Sequence, residues 1–464
     1  MFRISISGLV FLIGMMSGIA QRTVRPDDNF KTKKEYLNPN EDYTARTLKL
    51  DEINFVSGYY SQNGNHSAVT GGIGTEKLTD LSNTFELKLL KNTKRGSTHH
   101  FIFGMGFDTY TSASSDRIDT AITYNGTNQG STGGQSNPVI YPPPRDGHHG
   151  HSGASTAVAS GPTIIVNGIT TVTSASYRDQ RYYPSLNWSM ETPKGLTMGA
   201  GVSYSGEYDY FSKGLSFNIG KSSKNKNSDI SLSVSAFFDH WLVIYPAELR
   251  PVNYPYGSER DKELLTKSPR NTYNTGLVFN QVINKRLQVG LMIEPSYQEG
   301  LLGTTYQRVY FENGTAKPEQ MPDRRLKLPI GLRASWFIGD QIVVRPYYRY
   351  YQDDWGLHAH TASLEASIKA SPFVSLIPFA RYYTQNGVPY FAPYKMHSTE
   401  EAFYTSDYDL SKLSSKSFGL GLRMVPKNGV MDIPAFKSLE LRFAHYIRST
   451  DLKSNIITAA LTFK

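Results

Sequence analysis

The stretch Leu326-Lys327-Leu328-Pro329-Ile330-Gly331-Leu332-Arg333-Ala334-Ser335-Trp336-Phe337-Ile338 repeats with period two. Leu326, Leu328, Ile330, Leu332, Ala334, Trp336 and Ile338 form one set, and Lys327, Gly331, Arg333 and Ser335 fall between them. Alternate side chains of an extended strand point to opposite faces, so the segment presents one apolar and one polar surface. A helix would group residues three or four apart, which does not separate these sets. The same alternation runs through 196–207, 229–239 and 286–298, where the polar positions are mostly Gly and Ser with scattered charges.

Working outward, strands are expected near 50–62, 80–91, 99–112, 177–192, 196–208, 211–221, 229–245, 271–283, 286–299, 325–338, 341–353, 357–370, 373–386, 413–425, 437–449 and 455–464. Most exceed the roughly six residues of an average soluble strand. Tight connections (Asn284-Lys285, Gly339-Asp340, Ser371-Pro372) alternate with long ones (63–79, 113–176, 246–270, 300–324, 387–412), with Pro426–Phe436 as an exception. Short turns on one rim and long loops on the other mark an outer-membrane barrel, with the short rim periplasmic. The expected fold is all-β, a transmembrane antiparallel β-barrel of about sixteen strands, fourteen also being compatible.

The 464 residues contain 31 Tyr, 23 Phe, 39 Gly and no Cys, which excludes disulfides and thiolate metal sites. After the first twenty residues no apolar run is long enough for a membrane helix. Arg3, the apolar run from Ile4 to Met16, and Gly18 and Ala20 read as a signal peptide cleaved before Gln21, implying export to the cell outer membrane. Residues 21–49 are expected to form a periplasmic tail or short plug, and 50–464 the barrel. The last strand alternates Ile457, Ala459, Leu461 and Phe463 with Thr458, Ala460 and Thr462, so it should face lipid. Its terminal aromatic resembles the signal read by the barrel-insertion machinery. Tyr59, Tyr60, Tyr110, Tyr182, Tyr183, Tyr297, Tyr382 and Tyr383 lie at strand ends, where interfacial aromatic girdles form.

Lys327, Arg333, Arg345, Arg349 and Arg381 share the inward parity of their strands, with Glu294 and Glu365 among them. They are the candidate pore-lining residues. Guanidinium groups along one wall would favour anions; alternatively, the arginines pair with lumen carboxylates and brace a closed barrel. In the longest loop, His148, His149 and His151 could supply ligands to Zn²⁺ or Cu²⁺, although a solvated polar loop would look the same. Asp239-His240 and His99-His100 are adjacent in strands and point to opposite faces, so neither makes a catalytic dyad. No nucleophile elbow, P-loop or nucleic-acid-binding motif occurs. The expected function is therefore non-enzymatic: a porin-like channel or transporter for a small polar solute, anionic solutes included, working without a cofactor and surrounded by outer-membrane lipid. The alternative is a non-transport protein whose surface loops bind an envelope partner or metal.

The stretch 59–80, YYSQNGNHSAVTGGIGTEKLTD, resembles the N-terminal motif of an outer-membrane barrel family defined only as a domain of unknown function. Residues 108–116 and 181–186 resemble two further signatures of that family. The resemblance covers nearly all of the mature chain and implies the barrel fold, but it supplies no substrate. The family's pattern has no histidine run, which weakens a shared metal role for His148–His151. Within the first motif, Asn63, Gly64, Asn65, His66, Gly71, Gly72 and Gly74 are expected to build a compact loop. The glycines would permit positive φ, and the polar side chains would bond the backbone. Such a loop would act as an inward constriction or docking surface, or would seal the barrel's outer mouth.

Overall fold

The computed structural model describes residues 48–111, 179–246 and 266–464, together with Leu249 and strand segments at 122–124, 139–141, 164–166 and 169–171. The expected signal peptide, the tail up to residue 47 and the His148–His151 run lie outside the described residues.

The barrel strands are β1 (Lys49–Asn63), β2 (Leu78–Asn92), β3 (Thr98–Tyr110), β4 (Asp179–Glu191), β5 (Leu196–Gly206), β6 (Tyr210–Ser222), β7 (Ser228–Leu242) and β8 (Lys267–Asn284). They continue with β9 (Leu287–Ile293, resuming as Ser296–Gly300), β10 (Arg324–Ile338), β11 (Ile342–Asp353) and β12 (His358–Ser371). The last four are β13 (Val374–Gln385), β14 (Leu413–Met424), β15 (Phe436–Arg448) and β16 (Lys453–Phe463). Each pairs antiparallel with the next. The ring closes where β16 lies beside β1, from Ile53 opposite Phe463 to Asn63 opposite Lys453. Closure leaves no row of unpaired backbone groups in lipid, where each would cost several kcal/mol. The interruption in β9 falls at Pro295, which has no N–H to donate. Register is nevertheless continuous, with Leu277 opposite Ile293 and Asn274 opposite Ser296. The count is sixteen.

Period two maps onto two solvents. Leu186, Val202, Phe217, Leu232, Leu332, Trp336, Leu364 and Leu420 all point outward, and Phe217 is 64% exposed. A band of large apolar side chains around the whole cylinder far exceeds the apolar patches that soluble monomers expose. It is the surface a membrane would cover.

The tyrosine girdle is only half formed. Tyr59, Tyr182 and Tyr382 are outward and exposed, and Tyr297 stacks on outward Tyr273 at 6.4 Å. Tyr60, Tyr110, Tyr183 and Tyr383 belong to the opposite parity and face inward. Tyr183 donates to Asp108 at 2.9 Å, and Tyr110 donates to Glu207. Adjacent strand residues cannot both reach lipid.

One rim carries the short turns, at 93–97, 192–195, 223–227, 285–286, 339–341 and 372–373, with 425–435 longer. Gly195 and Gly339 take positive φ at two of these turns. The opposite rim carries the long connections, yet 207–209, 354–357 and 449–452 are also short. Loop length therefore does not alternate strictly around the ring.

Candidate functional site

The lumen wall has two characters. On β5 and β6, and on β4 at Ser185 and Asn187, the inward positions are small or neutral: Gly199, Gly201, Ser203, Ser205, Ser212, Gly214, Ser216 and Asn218. The flanking strands add larger inward groups, Tyr183 on β4 and Phe237 and Asp239 on β7. On β10 to β15 the inward positions mix small residues with long ones, and among the charged ones cations outnumber carboxylates. Glu365 of β12 accepts from Arg345 of β11 at 3.1 Å and from Arg442 of β15 at 2.9 Å. Arg442 also binds Glu440 at 2.5 Å, and Arg423 approaches Glu440 at 3.9 Å. Arg333 donates to Asn280 at 2.8 Å and feels the charges of Asp229 and Glu294.

Near the outer rim, Arg325 and Asp353 form a buried pair at 2.5 Å. Asp353 also accepts from Tyr351 at 2.7 Å and from the backbone of Trp355 and Leu357. The Trp355 ring lies 4.2 Å from the Arg325 guanidinium carbon. Lys327 sits opposite Asp353 across the β10–β11 ladder.

Of the seven candidate pore-lining residues, Arg345 and Glu365 are thus brought together directly. Arg333 and Glu294 are brought into the same electrostatic neighbourhood. Arg349 and Arg381 make no hydrogen bond or carboxylate contact among the described residues; the Arg349 Nε is buried without a partner.

Above this wall, three loops pack into a cap. The first, 64–77, holds the glycine-rich motif around a single 3-10 turn, Ala68–Thr70. The others, 301–323 and 386–412, contribute Val309, Phe311 and Tyr404 to a small core of their own. Arg308 is 1% exposed and donates to the Val69 carbonyl at 2.7 Å. That bond joins the loop after β9 to the loop after β1. These are eight strand positions apart in a ring of sixteen, so the contact crosses the mouth rather than running along the rim.

His66 stacks on Tyr408 at 3.8 Å, its backbone N–H donates to Glu76 at 3.1 Å, and its Nδ1 lies 3.1 Å from the Gly72 carbonyl. Gly71 and Gly72 have φ of 79° and 83°. A Cβ at Gly71 would strike the Tyr310 ring, and one at Gly72 the Ser406 carbonyl. Gly74 also takes positive φ, while Gly64 does not. The requirement at Gly64 is space, because the Glu76 carboxylate fills the position a Cβ would occupy. Asn63 and Asn65 are exposed at the loop's start.

The cap is held by buried polar groups. Glu319 accepts from the Thr304 N–H at 2.6 Å and from the Thr405 hydroxyl at 2.5 Å. His397, fully buried, meets Glu401 at 2.6 Å and the Thr405 carbonyl at 3.0 Å. Arg448 at the top of β15 binds Asp409 and, at 3.4 Å, Glu76, tying two loops to the wall. Burial raises the pKa of Glu76 against the pull of Arg448 and the His66 N–H. Burial also pushes the Asp407 carboxyl up to about 7, reinforced by the nearby charges of Asp409 and Glu319.

Arg308, His397, Asp407 and Arg448 escape a reading of sequence periodicity. Arg308 and Val69 are 239 residues apart, and no local spacing announces their contact. The sequence signal is confined to two of the three loops, 301–323 and 386–412, which carry several Tyr and Phe residues among their charges. Among the described residues no group of three or more His, Asp or Glu is placed to hold a metal ion.

A closed antiparallel cylinder with an apolar outside, a polar inside and short turns on one rim defines an outer-membrane β-barrel. More particularly, the chain belongs to the family described as "Protein of unknown function (DUF3570)", whose model matches residues 32–455. No curated protein matches the sequence. Among solved structures, a bacterial polysaccharide outer membrane secretin is similar with a TM-score of 0.40 and 9% identity, over 89% of this chain and 98% of that one. A BenF-like porin from Pseudomonas fluorescens has a TM-score of 0.39 and 8% identity, over 90% and 99%. OccD3 (OpdP) of Pseudomonas aeruginosa has a TM-score of 0.39 and 7% identity, over 90% and 92%.

Proposed function

We propose that the protein is an outer-membrane channel for small polar solutes with a preference for anions, and that its outer mouth is bridged by the loop cap. The carrying observation is the inward face of β5 and β6. Gly199, Gly201, Ser203, Ser205, Ser212, Gly214 and Ser216 are too short to fill the centre of a cylinder of this circumference. Small eight-stranded barrels pack their interiors with side chains, whereas barrels of about sixteen strands leave an aqueous passage. Opposite this neutral arc, cations outnumber carboxylates on β10 to β15, which favours anions in a water-filled lumen.

The test is reconstitution of the purified full-length protein in planar bilayers under a salt gradient. The expected outcome is a steady current whose reversal potential favours the anion. Joint replacement of Arg333, Arg345 and Arg349 by Gln should move that potential toward the cation side. Folded protein that never conducts would end the channel reading. In that case the loops become the functional surface, and stoichiometric Zn²⁺ uptake lost on replacing His148, His149 and His151 would point to metal binding.

A further inference from the structure

Two of the lumen arginines differ from all the others. Arg345, Arg423 and Arg442 share Glu365 and Glu440. Arg325 has Asp353, Arg270 has Asp239 at 3.0 Å, and Arg448 has Glu76 and Asp409. Arg349 and Arg381 have neither carboxylate nor hydrogen-bond acceptor among the described residues. The ladders show why they lie together. Arg349 of β11 is opposite Thr361 of β12, and Arg381 of β13 is opposite Ser363 of the same strand. They are diagonal neighbours on one inward face, separated only by small hydroxyl residues. Each is within Coulombic reach of the other and of the phenols of Tyr347 and Tyr383, and Arg381 also senses Tyr446.

Glu365 and Glu440 are already engaged by Arg345, Arg423 and Arg442. Glu294, which acts on Tyr347 and Arg333 through its charge, is the nearby carboxylate without an ion pair among the described residues, and it contacts neither Arg349 nor Arg381. The Arg349 Nε is moreover shut off from water. Guanidinium N–H groups left unpaired in a partly desolvated site carry a penalty that an incoming acceptor relieves. The position matters as well. Arg349 lies four residues below the outer end of β11 at Asp353, so the pair sits just under the cap.

From this we infer that Arg349 and Arg381, with the Tyr347 phenol beside them, form a binding site for a small oxyanion group, carboxylate or phosphate, at the outer end of the lumen. Two planar donor forks and a phenol O–H match an acceptor with several oxygens better than a spherical halide. The inference rests on the channel reading only in taking the lumen to be water-filled.

The experiment titrates detergent-folded, full-length protein with acetate and with inorganic phosphate by calorimetry, at constant chloride. Saturable binding of one anion per chain is expected. It should weaken by about tenfold or more in Arg349→Gln and in Arg381→Gln, as loss of a charge-assisted bond implies. It should weaken less in Arg349→Lys, which keeps charge without the fork. Arg286→Gln in the β8–β9 turn removes the same charge elsewhere and should bind like the parent. Preservation of the heat-modifiable gel shift reports that each variant is folded. Acetate alone binding would assign a carboxylate solute, and phosphate alone a phosphoryl one. Absence of saturable binding of both, or equal binding by both Gln variants and the parent, overturns the site. Bilayer current is recorded separately: binding without current removes the channel and keeps the site, and current without binding does the reverse.

Discussion

Arg308 is the residue on which the cap's span depends. It is among the largest fully buried side chains, and its Nη1 bond to Val69 joins loops from opposite sides of the ring. Replacing Arg308 by Ala leaves buried acceptors unpaired and opens a cavity, a loss of about 3 kcal/mol. If the cap opens as a unit, its open population should rise by roughly a hundredfold. Limited proteolysis of the folded barrel reads this directly. Unchanged cleavage of loops 64–77 and 301–323 would show that the contact carries no weight. Asp407 makes the same cap sensitive to pH. Its carboxyl is buried, accepts the Asp409 N–H at 2.9 Å, and faces Asp409 and Glu319. Its ordinary value of 3.8 rises to about 7, so the neutral form is the one the fold favours. The stabilising contribution is therefore complete below about pH 4 and is lost as pH rises through about 7. Glu76, also raised by burial, adds in the same sense. Cap proteolysis should be faster at about pH 8 than at about pH 5, and Asp407→Asn should flatten the difference. A parent profile that is already flat would refute the assignment.

At the level of elements, β16 carries the closure. It pairs with β15 and with β1 along its length, and Phe463 stacks on Phe436 at 4.8 Å. The Lys464 N–H donates to the Ala435 carbonyl at 2.8 Å, so the chain is held to its last residue. Deleting residues 453–464 would leave β1 and β15 with unpaired backbone groups facing lipid, each costing several kcal/mol. The truncated chain should therefore lose the folded, heat-modifiable gel band altogether. Recovery of that band would mean that β1 and β15 can pair without β16. The sixteen strands are legible in the sequence because every one separates two solvents, and each residue's polarity reports which solvent it meets. Tyr60, Tyr110, Tyr183 and Tyr383 face inward because parity, not position at a strand end, decides which solvent a side chain meets. The cap is illegible for a different reason. Its buried polar contacts, such as Thr405 with Glu319 across 86 residues, come from tertiary packing between loops that carry no period. Gly64 illustrates the same limit: a flexible-looking glycine is needed there because Glu76 folds back onto it.

For the whole molecule, the arrangement sets the small, neutral inward face of β5 and β6 against a wall, β10 to β15, where cations outnumber carboxylates, beneath a bridged mouth. The candidate pore residues were legible as an inward set on β9 to β13, but not their partition. Which arginines are neutralised depends on β15, whose Arg442 shares Glu365 with Arg345 from 77 residues away. If the uncompensated charge steers solutes, its reach must shrink with ionic strength. The screening length is about 10 Å near 0.1 M salt and about 3 Å near 1 M. In a water-filled lumen, the field of the β10–β15 wall would extend into the centre at the lower salt concentration and be confined to the wall itself at the higher one. The anion-to-cation permeability ratio should therefore fall toward unity between those two concentrations, measured by reversal potential at a fixed activity gradient. Neutralising Arg349 and Arg381 together should give the low-salt channel the ratio that the parent shows only at high salt. A ratio indifferent to salt would place selectivity in the steric passage beneath the cap, and the wall's charge would then serve only to brace the barrel.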